Sequence, residues 1–254
     1  MKIFDAKSLE GKTYLVTGGS SGIGMATARL LAECGARIIV SGQNQQRLQD
    51  CVAGLVGLGH KFSACTFENA DQVFDWMKAL SEQEGPLDGV FHCAGIELIR
   101  PIRLTKQEHL MDVLGSSLFA AFGLARALGQ KNVIVDGGSI VLMSSVAGSA
   151  GQVGLSAYSA AKASIDGLVR SFACELAPRK IRVNSLVAGA IKTAMHDRLI
   201  QGGNPDATIR YEQMHLLGFG EVDDIAQCAV YLLGPASRWI TGTSLVVDGG
   251  YMVR

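Results

Sequence analysis

Thr13-Tyr14-Leu15-Val16-Thr17-Gly18-Gly19-Ser20-Ser21-Gly22-Ile23-Gly24-Met25-Ala26-Thr27-Ala28-Arg29-Leu30-Leu31 changes its rhythm at the glycines. The first five residues are β-branched, aromatic or apolar and read as a buried strand, whereas Met25 to Leu31 carries apolar residues at helical spacing. Glycines between them permit a tight turn and close backbone approach. The free N–H groups and positive dipole of the following helix suit a pyrophosphate. Gly18, Ser20, Ser21, Gly22, Ile23 and Gly24 are therefore the candidate residues for holding one. Gly18 to Gly22 also fits the GxSxG nucleophile elbow of hydrolases. That elbow needs a sheet and an oxyanion loop built before it, and residues 1–17 leave no room for either.

Outward from this turn the alternation repeats. Short apolar runs at Arg37-Ile38-Ile39-Val40, Val90-Phe91-His92, Ile140-Val141-Leu142-Met143, Ile181-Arg182-Val183-Asn184 and Ser244-Leu245-Val246-Val247 are separated by helical patterns over 22–34, 69–83, 106–129, 155–177 and 221–233. Almost wholly apolar strands divided by helices predict an α/β protein with a doubly wound parallel sheet covered on both faces. No linker, low-complexity tract or internal repeat divides the chain, so residues 1–254 are expected to form a single domain. Residues 192–219 contain Gly202-Gly203-Asn204-Pro205 beside a strand end and are expected to form a substrate lid.

Composition narrows the function classes. Of the 254 residues 48% are hydrophobic, enough for a substantial core, and Lys plus Arg balance Asp plus Glu at 23 each. With no basic run, nucleic acid is not an expected partner. Neither a leader nor a continuous apolar run of membrane length stands out, so the reading is a cytoplasmic protein with no membrane partner. The six cysteines show no CxxC and no His/Cys spacing for zinc, so the expectation is free thiols and no metal.

Tyr158 and Lys162 stand at i and i+4 of a helical stretch and project from one face. An ammonium near a phenol favours the phenolate, which suits the pair to moving a proton on and off an oxygen.

Together these motifs resemble, nearly end to end, the short-chain dehydrogenase/reductase family. Thr17 to Gly24 matches its TGxxxGxG turn, His92-Cys93-Ala94-Gly95 its NNAG element, Ser145 its catalytic serine, and Tyr158 with Lys162 its YxxxK. Ile181 to Gly189 is similar to its strand leading into a PG turn, Thr193 to its cofactor-contacting threonine, and Thr241-Gly242 with Val247-Asp248-Gly249-Gly250 to its terminal strand and turn. The resemblance implies a Rossmann fold, an NAD(P) cofactor and interconversion of an alcohol and a carbonyl compound. Tyr158 would give or take the proton, Ser145 would hydrogen-bond the same oxygen, and Lys162 would tune Tyr158 and hold the nicotinamide ribose. It also implies cofactor contacts at Gln43, Cys65, Cys93, Ala94, Gly95, Gly189, Ile191 and Thr193, and a homotetramer. Ala157, Ala160, Ala161, Ala163 and Ser164 supply small residues for close helix contact between copies.

Departures from the family pattern are informative. Ser117 stands where the family has a relay asparagine, and is expected to replace it with one extra water. Cys65 stands where an aspartate commonly meets adenine, His92 and Cys93 replace the two asparagines, and Ala188 replaces the proline of the PG turn. Ser41-Gly42-Gln43-Asn44 offers neither the acid that selects NAD nor the arginine that selects NADP. With no carboxylate to repel a phosphate and Arg47 nearby, the balance favours NADP(H). Met195, Leu199, Ile200, Met214, Leu216 and Leu217 suit either an apolar ligand or packing, with packing the commoner use of such a stripe. Arg100 and Arg103 read as solvated charges, the alternative being an anionic substrate or an acidic carrier. A non-catalytic dinucleotide sensor of the same fold is the competing reading, but it has no use for Ser145, Tyr158 and Lys162 together.

Overall fold

The computed structural model describes residues 4–194, 196 and 205–253. Seven parallel strands form one sheet in the order β3-β2-β1-β4-β5-β6-β7. The strands are β1 (Thr13–Thr17), β2 (Arg37–Gly42), β3 (Lys61–Ala64), β4 (Leu87–His92), β5 (Ile134–Ser145), β6 (Arg182–Ala188) and β7 (Ser244–Val247). The order reverses between β1 and β4, so the loops leaving their carboxyl ends diverge and open a crevice. Parallel pairing requires crossovers, and the helices that provide them cover both faces. On one face lie α3 (Ala70–Glu84), α5 (Ala120–Leu128) and α6 (Ser156–Leu176), packed through Met77, Leu124, Leu128, Ile165 and Phe172. On the other lie α1 (Gly22–Glu33) and α8 (Val222–Leu233), packed through Leu31, Ile225, Ala229 and Leu233. Among the described residues, α2 (Gln45–Ala53) and α7 (Pro205–Gln213) also lie in the crossovers.

The doubly wound sheet expected from the sequence is present, with two additions. Lys61-Phe62-Ser63-Ala64 forms the edge strand β3, which is half exposed and therefore lacks the apolar signature of its neighbours. Asn44 starts α2 by accepting the Arg47 N–H at 2.9 Å, so its side chain serves as a helix cap. The 106–129 pattern is also interrupted: α4 (Gln107–Leu114) joins α5 through a π-helical turn, Gly115–Phe119. Gln107–Leu128 as a whole is long and apolar enough to cross a membrane, by length and composition only. Its second half is instead buried in the core through Ala120, Ala121, Leu124 and Leu128. All six cysteines are free thiols.

Arg182 shows how the far end of β6 is fixed. Its guanidinium is buried and donates to the carbonyls of Leu232 at 2.7 Å, Gly234 at 3.0 Å and Ser237 at 3.2 Å, and to Ser237 Oγ at 2.7 Å. The planar fork thus satisfies the carbonyls at the end of α8, where a cation also complements the helix dipole. Replacement of Arg182 by Met removes these charge-assisted hydrogen bonds and leaves the buried carbonyls with only the neutral donors Ser139 Oγ, Ser237 Oγ and the Ile240 N–H. The expected loss is about 3 kcal/mol, roughly 6–12 °C in Tm, read by thermal unfolding.

Candidate active site

The glycine-rich turn follows from steric limits. Gly18 has φ +66°, and a Cβ there would lie 2.8 Å from the Ala94 amide nitrogen. A Cβ on Gly24 would lie 2.3 Å from the Gly18 carbonyl oxygen. Only glycine lets the turn close on itself and against the loop after β4. Ser21 is the exposed N-cap residue of α1, Ser20 lies beside Gly42, and Ile23 enters the first helical turn.

Parallel strands deliver their loops to one edge, so the other predicted residues gather there. Gln43 follows β2 and Cys65 follows β3, with the Cys65 amide donating to the Gly42 carbonyl at 3.0 Å. Cys93, Ala94 and Gly95 follow β4, and Cys93 and Ala94 abut Gly18. Gly189 follows β6 and packs against Asp248, where a Cβ would lie 2.8 Å from the aspartate Cα. Ile191 bridges to Gly220. Thr193 reaches back until its Cγ2 stands 3.5 Å from where a Gly22 Cβ would lie, which joins the loop after β6 to the turn after β1. Free N–H groups at the start of α1 and a cradle that any Cβ would fill are together suited to a dinucleotide's pyrophosphate. Among the described residues, no cluster of three His, Cys, Asp or Glu side chains is placed to hold a metal.

Beside this crevice β5 ends at Ser145 and α6 begins, and the structure brings Ser145, Tyr158 and Lys162 together. Lys162 is 4% exposed, donates from Nζ to the Met143 carbonyl at 2.9 Å, and lies 5.6 Å from the centre of the Tyr158 ring. Burial pushes its ammonium down to about 8, opposed by Cys93, Asp166 and Glu97. Burial also pushes Cys93 up to about 12, leaving it a neutral thiol at pH 7. The standing support for the ammonium therefore comes from the two carboxylates. Burial and the Glu97 carboxylate raise the Tyr158 phenol above its ordinary value, while a hydrogen bond with Ser145 works in the opposite direction. Ser145 Oγ accepts the Ala147 N–H at 3.2 Å, which fixes its rotamer at the strand end.

Ser117 lies in the π-helical turn, 1% exposed, and its Oγ has no protein partner. A Cβ on Gly95 would stand 3.5 Å from Lys162 Nζ and 3.7 Å from Ser117 Oγ, so the two groups face one spot. His92 is buried nearby with Nδ1 2.8 Å from Thr17 Oγ1, which also accepts the Ala94 N–H at 3.3 Å. The His92 ring edge that carries Nε2 is turned away from Thr17 and is buried beside the π-helical turn. Burial holds this imidazole down to about 3, so it stays neutral.

Residues outside the sequence motifs complete the rim. Gln152 Nε2 donates to Tyr251 Oη at 2.8 Å and to Tyr211 Oη at 3.3 Å, and His215 packs on both tyrosine rings. These contacts span 99 positions at most, and no local pattern announces them. Met214, Leu216 and Leu217 are 44%, 55% and 87% exposed, so they do not serve the packing role the stripe suggested. Met195, Leu199 and Ile200 lie outside the described residues. Arg103 is exposed, and Arg100 donates weakly to the Leu104 carbonyl.

Known proteins share this fold over nearly the whole chain. The family described as enoyl-(acyl carrier protein) reductase matches residues 18–252. A 3-oxoacyl-[acyl-carrier-protein] reductase of Vibrio cholerae serotype O1 is 33% identical over 247 residues, covering 97% of this chain and 100% of its own. Among solved structures, a short-chain type dehydrogenase/reductase from Mycobacterium ulcerans has a TM-score of 0.88 at 32% identity, over 97% of this chain and 92% of its own. A blue fluorescent protein from a metagenomic library, in complex with NADPH, has a TM-score of 0.87 at 30% identity, over 96% and 99%.

The buried Lys162 ammonium couples stability to pH. The folded protein holds this proton less tightly than the unfolded chain, at about 8 against 10.5, so burial costs stability below pH 8 and the cost fades as pH rises toward 10.5. At pH 7 the difference amounts to about 3 kcal/mol. Thermal unfolding of Lys162→Met is expected to give a Tm at or above the parent at pH 7, with the advantage shrinking between pH 8 and 10.

Proposed function

The chain belongs to the short-chain dehydrogenase/reductase family, and from that premise we propose that it interconverts a ketone and a secondary alcohol through Ser145, Tyr158 and Lys162. It is an NAD(P)-dependent oxidoreductase acting on CH–OH or carbonyl groups. The observation that carries the finer reading is the convergence of a buried ammonium, a phenol and a serine hydroxyl beside a glycine cradle built for a pyrophosphate.

Gly18, Ser20, Ser21, Gly22, Ile23 and Gly24 would hold the pyrophosphate, Gln43 and Cys65 the adenosine end, and Cys93, Ala94, Gly95, Gly189, Ile191 and Thr193 the nicotinamide end. When bound, the nicotinamide donates or accepts a hydride at the substrate carbon. In reduction, Tyr158 gives its phenolic proton to the oxygen that gains charge. Ser145 donates a hydrogen bond to that same oxygen and steadies it. Lys162 lowers the cost of the resulting phenolate by standing near the ring and holds the nicotinamide ribose. Ser117 Oγ, buried and facing Lys162, would bind the water that returns a proton to this set. His92 is held neutral by burial and takes no part in the proton transfer.

We favour NADP(H), since the segment after β2 presents no carboxylate and a related structure is described in complex with NADPH. Residues 192–219 would form the lid, supported by α7 placing Tyr211 against Gln152. Ile96, Ile99, Val153 and Leu217 are exposed on the segments after β4, before α6 and after α7, which suits a carbonyl compound with apolar substance. The non-catalytic sensor reading leaves the buried Lys162 charge without a purpose. A homotetramer is supported by the exposure of Met111 on α4, Phe122 on α5, and Ala160 and Ala163 on α6.

Purified protein is expected to bind NADPH more tightly than NADH, read by nicotinamide fluorescence, and to reduce members of a carbonyl panel. Tyr158→Phe is expected to retain binding and lose at least about 1,000-fold in kcat, while Ser117→Ala loses about 10-fold and changes the pH profile. Turnover surviving in Tyr158→Phe sinks the mechanism. Light scattering at micromolar concentration is expected to give the mass of four chains, and a monomeric mass overturns that assignment.

A further inference from the structure

One turn beyond Lys162 on α6 stands Asp166, a carboxylate turned toward the sheet. Its Oδ2 accepts Ser144 Oγ at 3.1 Å, and its Oδ1 accepts Ser185 Oγ at 2.8 Å and Ser244 Oγ at 3.0 Å. The three serines belong to β5, β6 and β7, which are consecutive neighbours in the sheet, and Ser185 pairs in register with Ser244. A single carboxylate therefore ties one helix to three strands. The serine on β5 is the informative one, because Ser144 lies between Met143, whose carbonyl holds Lys162 Nζ, and Ser145. Its hydroxyl also stands 3.2 Å from the Lys162 carbonyl, a second contact to the same helix turn.

We propose that Asp166 is a positioning residue for the Ser145, Tyr158 and Lys162 set, clamping residues 143–145 to α6 and lending its negative charge to the Lys162 ammonium. This rests on the mechanism proposed above. Other groups facing Lys162 are Cys93 and Glu97 after β4, His92 at the end of β4, and Tyr158 on its own helix. Cys93 and His92 are neutral at pH 7, so Asp166 and Glu97 are the anions that keep the buried amine charged. Asp166 also holds the strand that carries the lysine's acceptor. A structural carboxylate that merely stiffened the sheet would affect stability and leave the ionisation of Lys162 unchanged.

The test is the pH dependence of kcat/KM for carbonyl reduction, on a substrate from the panel that the parent protein accepts. The parent is expected to lose activity above about pH 8, as Lys162 gives up its proton. Asp166→Asn keeps a side chain of the same shape without its charge, and is expected to move that alkaline limb down by roughly one pH unit. Dinucleotide affinity should change by less than about twofold. Ser144→Ala loosens the clamp but keeps the charge, so kcat is expected to fall about 10-fold with the limb in place. An unmoved limb in folded Asp166→Asn overturns the electrostatic part, and an unchanged kcat in Ser144→Ala overturns the clamp. Should Asp166→Asn not fold, Ser144→Ala alone decides. Tyr158→Phe run beside them separates the two levels: if it remains active the mechanism itself fails, whereas if it is dead and the other two resemble the parent, only this proposal fails.

Discussion

An ammonium taken out of water loses several kcal/mol of hydration, and a fold that keeps one inside must return that energy through fixed dipoles and opposite charges. Lys162 is such a group. It is nearly inaccessible, held by one backbone carbonyl at 2.9 Å, and the two neighbouring carboxylates come from α6 and from the loop after β4. Satisfying it demands that β5 stop at one place, that α6 start soon after, and that the chain leaving β4 pass close by. The sheet order meets all three demands at once, because β4 and β5 are paired neighbours whose ends share the same edge. Much of the geometry at the carboxyl edge can be understood as the housing of this one charge.

The same edge explains why the substituted positions remain compatible with the fold. His92 and Cys93 stand where amides are usual in the family, yet the His92 ring is accommodated in the core with Nδ1 against Thr17 Oγ1. Cys93 contributes its backbone, taking the Thr17 carbonyl at 3.2 Å, and its thiol stays neutral. Ser117 is smaller than the asparagine it replaces and leaves its hydroxyl with no protein partner, inside a helix whose backbone is widened by a π turn. Backbone geometry carries much of the site, which lets several side chains differ.

What the sequence reveals follows from how local each signal is. The strand–turn–helix at 13–31 is readable because the change of period, the glycines and the following helix lie next to one another. Tyr158 and Lys162 are readable because helical spacing alone places them on one face. Edge strand β3 is not legible because Lys61 to Ala64 is half exposed and polar, with little to distinguish it from a loop. The π turn at 115–119 leaves the hydrophobic pattern nearly intact, so one long helix was the natural reading. Gln152, Tyr211 and Tyr251 meet only through the tertiary fold. Asp166 had a faint signal, a carboxylate four positions after a lysine in an otherwise small and apolar helix, but its three serine donors lie on separate strands.

The place of β7 in this arrangement bears on how the protein is made. It is the seventh strand in the chain and sits at the far margin of the sheet, yet it supplies Ser244 to the carboxylate behind Lys162, and Asp248 just beyond it packs on Gly189. A growing polypeptide that has emerged through residue 240 already holds the glycine turn, the phenol and the ammonium. It still lacks the strand that closes the network beneath them. The last residues of the chain therefore close both the floor beneath the ammonium and the wall behind Gly189, so a product that ends before Ser244 lacks a donor to Asp166 and the packing partner of Gly189.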